Sequence, residues 1–186
     1  ADKESKKSKA IEILEKALEY PENLGEGKLA GAMDNDLYYR LGCLEEEPEQ
    51  SRTDFELAAR GSGELSDARY YNDQPPEMQY YAAMALQKLG RENEGREKLL
   101  RMAEYGTAHM GDAQEIDYFA VSLPDFLIFE ADLNRKHRAH CCFMAALGFF
   151  GLGEKEKAEK FVKQGISEEP CHGGLIGLRR KIECAV

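Results

Sequence analysis

Between residues 135 and 170 the chain carries a pattern that leaves little choice of fold. Cys142, Ala145, Ala146 and Phe149 recur at helical spacing, Leu152-Gly153 follows as a tight turn, and Ala158, Val162 and Gly165 form a second stripe closed by Pro170. Residues three and four apart share one face of a helix. Small side chains on such faces let two antiparallel helices approach closely, and bulky ones fill the notches between them. The order recurs upstream, where Gln79, Ala82, Ala83 and Leu86 precede Leu89-Gly90, and Gly95 and Leu99 then take the small and large positions. A weaker copy has Tyr38, Leu41 and Gly42, then Ser51, Phe55 and Ala58 after a connection shortened at Pro48. Ahead of it stands half a unit, Ala10, Leu14 and Ala17, ending near Pro21. A lone second helix leaves Ile11, Leu14 and Leu18 only partly covered, so the chain is expected to be cut from a longer protein and to be open to self-association at this end.

The segments between breaks are filled by Ala, Leu, Glu, Lys and Arg, and strand-like alternation of Val, Ile and Thr is nearly absent. Helices are expected over residues 4–20, 35–46, 50–60, 76–89, 92–109, 135–151, 154–168 and 172–184, separated by turn chemistry such as Gly61-Ser62-Gly63, Pro75-Pro76 and Glu169-Pro170. The expected fold is all-α: one domain of stacked antiparallel helix hairpins with long inter-repeat insertions. Its parts are a half repeat over 1–21, a degenerate repeat over 35–60, a repeat over 76–109, a packed insertion over 110–134, a repeat over 135–170 and a terminal helix over 171–186. Within the insertion, Asp117 to Phe129 is too apolar for a solvated loop and is expected to pack on the neighbouring hairpins.

The hairpin pattern resembles the tetratricopeptide repeat, which runs from a large residue through Leu-Gly to Tyr on its first helix, then Ala, Phe and a closing Pro on its second. The blocks Tyr20 to Gly27, Tyr70 to Met78 and Asp117 to Leu133 sharpen the likeness. They resemble recurring segments of a bacterial family whose members carry an N-terminal β-sandwich domain of unknown function followed by tetratricopeptide repeats. The resemblance covers essentially the whole chain. It implies a non-catalytic scaffold whose partner is a protein, a peptide or the β-sandwich domain of its own polypeptide. Some members are linked to carbohydrate metabolism, which supplies the alternative of a small-molecule site using Tyr70, Tyr71, Asn72, Asp73 and Gln74. The plainer reading of that run is a turn leading into helix 76–89.

On the repeat pattern, the first helix of each pair lines the concave face. The lining is expected to be Asp36, Tyr39 and Glu46 from one helix, and Glu77, Tyr80, Met84, Gln87 and Lys88 from the next. His140, Phe143, Leu147 and Phe150 come from the last. Aromatic residues and Met beside a few charges suit a groove that takes a peptide or a helix. The competing reading has Phe143, Leu147 and Phe150 covered by the terminal helix or the insertion.

Other classes of function are disfavoured. A net charge of −10 opposes nucleic acid and anionic membranes, which need a positive field. The most apolar stretch, Cys141 to Leu152, is about twelve residues and too short to span a bilayer. Residues Ala1 to Lys9 are charged, with no signal-like apolar run behind them. Five cysteines without framework spacing read as reduced thiols in a cytoplasmic protein. His137 and Cys141 share a helix face beside His140, and Cys171-His172 lies further on, yet zinc-site spacing is missing and neither metal nor cofactor is expected. Cys171-His172 lacks a nucleophile signature, and Gly151-Leu152-Gly153 lacks the strand context of a phosphate cradle, so no enzyme is expected.

Overall fold

A computed structural model of the chain describes residues 3–20, 34–61, 65, 74–114 and 132–184. Among the described residues there are eight helices and no strand: α1 (Lys3–Leu18), α2 (Asn35–Leu44), α3 (Pro48–Ala58), α4 (Met78–Lys88), α5 (Glu92–Ala108), α6 (Leu133–Gly151), α7 (Lys155–Glu168) and α8 (Gly173–Cys184). The helices pair as α2 with α3, α4 with α5 and α6 with α7, and successive pairs stack on one another. The result is an α-helical repeat architecture. Asp117 to Phe129, Tyr70 to Asp73 and residues 21–33 lie outside the described residues.

The two Leu-Gly turns are built alike. At each, the glycine has a positive φ, 77° at Gly90 and 80° at Gly153, a conformation that side-chain-bearing residues rarely adopt. Gly90 N–H then bonds to Gln87 O and Arg91 N–H to Leu86 O, while Gly153 N–H bonds to Phe150 O and Glu154 N–H to Phe149 O. These paired bonds satisfy the last carbonyls of α4 and α6 and turn the chain back within three residues.

The pairs are antiparallel and close. A Cβ at Gly95 in α5 would stand 2.6 Å from Ala83 O in α4, and one at Gly165 in α7 would stand 2.9 Å from Cys142 Cβ in α6. The seam between the second and third pairs is tighter still, since a Cβ at Gly106 in α5 would stand 2.2 Å from Cys141 O of α6, and one at Gly148 in α6 would meet Ala103 N and Leu99 O of α5, each at 2.6 Å. Around this seam lies the main core, with Leu99, Met102, Met144, Val162 and Leu175 fully buried. A smaller cluster of Phe55, Ala58 and Ala85 joins α2, α3 and α4. At the start, α1 packs on α2, leaving Ile11, Leu14 and Leu18 half-buried and Ile13 58% exposed.

Several expected boundaries move, each for a local reason. Residues 35–46 do not form one helix: α2 stops at Leu44, because Glu45 turns extended and Glu47 is held extended by the following Pro48. Pro48 itself opens α3 two residues earlier than expected, at the position where a missing N–H costs nothing. Before α4, Pro75, Pro76 and Glu77 accept from Met78, Gln79 and Tyr80 in a tighter i→i+3 turn, so the α-helix starts at Met78 and not at 76. α6 starts at Leu133 because Asp132 caps it, accepting from Arg135 N–H at 3.1 Å.

A buried amide ladder locks the first two pairs together. Asn35 donates to Ala58 O at 2.7 Å and to Arg60 O at 2.6 Å, and Gln74 donates to Asn35 Oδ1 at 3.1 Å. Gln79 donates to Gln74 Oε1 at 2.9 Å and accepts from Lys98 Nζ at 3.0 Å. Burial, followed by the neighbouring Arg101, pushes the Lys98 ammonium below its usual pKa. Replacing Gln79 with Ala removes both of its bonds from a 2% exposed position. The expected loss is about 1–3 kcal/mol, read by denaturant unfolding. An unchanged midpoint would show that the ladder adds nothing.

Candidate binding surface

The first helices of the pairs, α2, α4 and α6, carry a run of aromatic rings across the stack. Phe55 of α3 lies 5.9 Å from Tyr39, Tyr39 lies 6.0 Å from Tyr81, Tyr81 lies 5.3 Å from Tyr80, and Tyr80 lies 6.4 Å from Phe150. Two cations converge on the middle of this track. Arg40 from α2 and Lys181 from α8 stand over the Tyr81 ring at 5.9 and 5.4 Å from its centroid, and both reach its hydroxyl, at 3.4 and 3.3 Å. A ring face and a phenolic oxygen both attract cations, and each such contact is worth about 0.5–1 kcal/mol where water has access. Burial, then Tyr81, pushes the Tyr80 phenol up to about 12, and burial likewise raises Tyr39, so both are uncharged at neutral pH.

The expected lining residues divide three ways. Asp36, Tyr39, Glu77, Met84, Gln87, His140 and Phe150 are half-buried, and Lys88 is exposed. Tyr80, Phe143 and Leu147 are at most 8% exposed and belong to the main core, so they cannot act as open groove walls. Glu46 is not on a lining helix at all. It sits in the α2–α3 connection, where it pairs with Lys7 of α1, which lowers its carboxyl pKa.

The cover over Phe143 is the chain's own terminal helix. A Cβ at Gly174 would stand 2.5 Å from the Phe143 ring, and the His172 ring lies 5.1 Å from it. Leu175, Leu178 and Ile182 of α8 are buried in the same core. α8 packs on α7 and α6, as the next helix of the stack would, and reaches Tyr81 of α4 through the long Lys181 side chain. Leu65, from the 59–74 connection, closes the other end, where His140 Nε2 lies 3.3 Å from its carbonyl. Sequence reasoning missed Arg40, Tyr81, Leu65 and Lys181. The Tyr80-Tyr81 doublet was the available signal for one of them, since neighbours on a helix point about 100° apart and one of the two had to face away from the core.

No protein-family model and no solved structure matches this chain.

Of the histidines and cysteines singled out by spacing, His137 and Cys141 are buried and Cys171 is exposed. His137 is buried, its Nε2 2.7 Å from His109 O and 3.5 Å from Cys141 Sγ. Burial, then Glu168, pushes the Cys142 thiol up to about 11, which keeps it protonated at neutral pH. Among the described residues, no three His, Cys, Asp or Glu side chains converge as a metal set. None of their helices is long and apolar enough to cross a membrane. An open depression of about 440 Å³ lies between α3 and the α4–α5 turn, lined by Arg52, Glu56, Arg60 and Arg91 among others.

His172 does not pair with Cys171. Its Nδ1 accepts from Leu175 N–H at 3.2 Å, capping the first turn of α8. A protonated ring has no free acceptor, so the cap requires neutral imidazole. Burial lowers the His172 pKa most strongly; His140 of α6 also lowers it, while Glu169 at the end of α7 and Glu77 before α4 oppose the shift. With the folded pKa below the unfolded value near 6.5, the unfolded state binds more protons as pH falls. The stability tied to this cap is complete above about pH 6.5 and is lost as pH drops through the lower folded value. Urea midpoints from pH 8 to 5 should fall more steeply for the native chain than for His172→Asn, which caps without titrating near neutrality. Parallel slopes would exclude His172 as the titrating group.

Proposed function

We propose that this chain is a tetratricopeptide-type repeat module that binds a segment of another protein, or of its own polypeptide, on the inner side of α2, α4 and α6, and that it catalyses no reaction. The observation that supports this most is the run of half-buried rings Tyr39, Tyr81 and Phe150 on three successive helices, joined between Tyr81 and Phe150 by the buried Tyr80. Such a surface offers large, pre-ordered apolar contact with polar tips, the composition of a segment-binding groove. Its free thiols, with Cys43, Cys171 and Cys184 exposed, fit a reducing, cytoplasmic compartment.

The test is site-specific photocrosslinking in the full-length protein within its own cells. A crosslinker at Lys88 should capture one defined protein segment, identified by mass spectrometry, that a crosslinker at Lys160 on α7 does not. Equal capture from both positions, or none from Lys88, would sink the assignment of the inner side as the binding face.

A further inference from the structure

We propose that the partner segment carries an acidic side chain, Asp or Glu, between apolar neighbours, and that Arg40 and Lys181 hold its carboxylate beside Tyr81. This inference rests on the segment-binding reading above and names the chemistry of the segment.

The two cations reach one phenol from distant parts of the chain. Arg40 comes from α2 and Lys181 from α8, yet they stand 3.4 and 3.3 Å from the same Tyr81 oxygen and over the same ring. Two positive charges held so close repel each other, and a neutral hydroxyl offsets that only in part. Counter-charge is thin here. Asp36 lies 3.7 Å from Arg40, one turn away on α2. Among the described residues no carboxylate pairs with Lys181, and Glu77, four residues before Tyr81, pairs with neither cation.

Both cations are exposed, so a carboxylate can reach them without any opening of the fold. A guanidinium offers a fork of donors and an ammonium a point charge, and the two together can occupy both oxygens of one carboxylate. The chain as a whole carries −10, which turns anionic segments away at long range. Salt screens that repulsion over about 10 Å, whereas the contact pair acts at hydrogen-bond distance.

The rings on either side favour an acid within the segment over one at its end. Tyr39 lies 6.0 Å from Tyr81 on the α2 side, and the rings continue through Tyr80 to Phe150 on the α6 side. A chain that passes across, with apolar residues before and after its acid, covers both flanks. A terminal carboxylate would leave one flank bare.

The probe comes from a displayed library of random short peptides panned against the full chain. The best binder is synthesised with a fluorescein label and an amidated C-terminus, and titrated by anisotropy. Enriched sequences should carry Asp or Glu between Leu, Ile or aromatic residues. Changing that acid to its amide should weaken binding about ten-fold, and Arg40→Gln or Lys181→Gln in the chain about three- to five-fold each. Against the chain with both substitutions, the same change in the probe should cost less than about two-fold. Lys181→Arg keeps the charge and should keep most of the affinity. All of these variants alter exposed side chains and should melt with the native midpoint, which separates lost contact from lost fold. Binders without an acid, no enriched binder, or an affinity indifferent to both cations overturns the proposal. An affinity that appears only when the probe has a free C-terminal carboxylate also overturns it, by making the surface a site for chain ends. Capture from Lys88 that succeeds beside any of these leaves the binding face standing with a partner of other chemistry; failure of that capture removes the binding face too.

Discussion

Gly148→Ala is expected to destabilise the chain by about 1–3 kcal/mol, although alanine is the better helix former by about 1 kcal/mol. The sign turns on geometry. The added methyl would stand 2.6 Å from Ala103 N and from Leu99 O, both backbone atoms of α5 that no rotamer change can move. α5 and α6 would have to separate, opening the most buried seam of the structure around Met102 and Met144. Gly177→Ala is the internal comparison, since its Cβ meets nothing and only the propensity gain remains. Thermal unfolding should therefore move down for Gly148→Ala and up for Gly177→Ala, by about 2–4 °C per kcal/mol for a chain of this size. An upward shift for both would mean that the two helices are not in close contact at Gly148.

Leu99→Ala should cost about 2–5 kcal/mol, the largest single-residue effect expected here. Leu99 is fully buried, and its methyl groups occupy the space left by Gly151, so truncation leaves a cavity between α5 and α6 that rigid helix backbones close poorly. The neighbouring Leu100 is 37% exposed, and Leu100→Ala should stay much nearer the native midpoint. Urea unfolding of the two variants measures this directly. Equal losses would show that the helix is rotated from the orientation in which Leu99 points inward.

The contrast between these leucines was visible in the chain itself. Gly95 and Leu99, four apart, mark one helical face, and Leu100 falls on another. The Leu-Gly turns at Gly90 and Gly153 were equally plain, because a left-handed residue at the end of a helix is a local requirement. Boundaries next to proline were less so. Pro48 could be taken as a break in the connection or as the first residue of α3, and the structure chose the second.

The candidate surface was legible only in part. Tyr39, Met84 and Phe150 lie on the first helices of the three pairs and are half-buried. Glu46 went astray because two extended residues before Pro48 ended α2 early. Phe143 and Leu147 have the right spacing for a groove and are nevertheless buried, because Gly174 and Leu175 lie against the same core.

Sequence alone determined the helices, their antiparallel pairing and the small-residue seams within the pairs, since all of these follow from contacts between residues three to some thirty apart in the chain. Only the tertiary structure decided which of the inner residues remain open. Lys181 meets Tyr81 across 100 residues, and His140 meets Leu65 across 75. Neither contact leaves a periodic trace in the sequence. Each depends on the sum of every helix packing between the two residues.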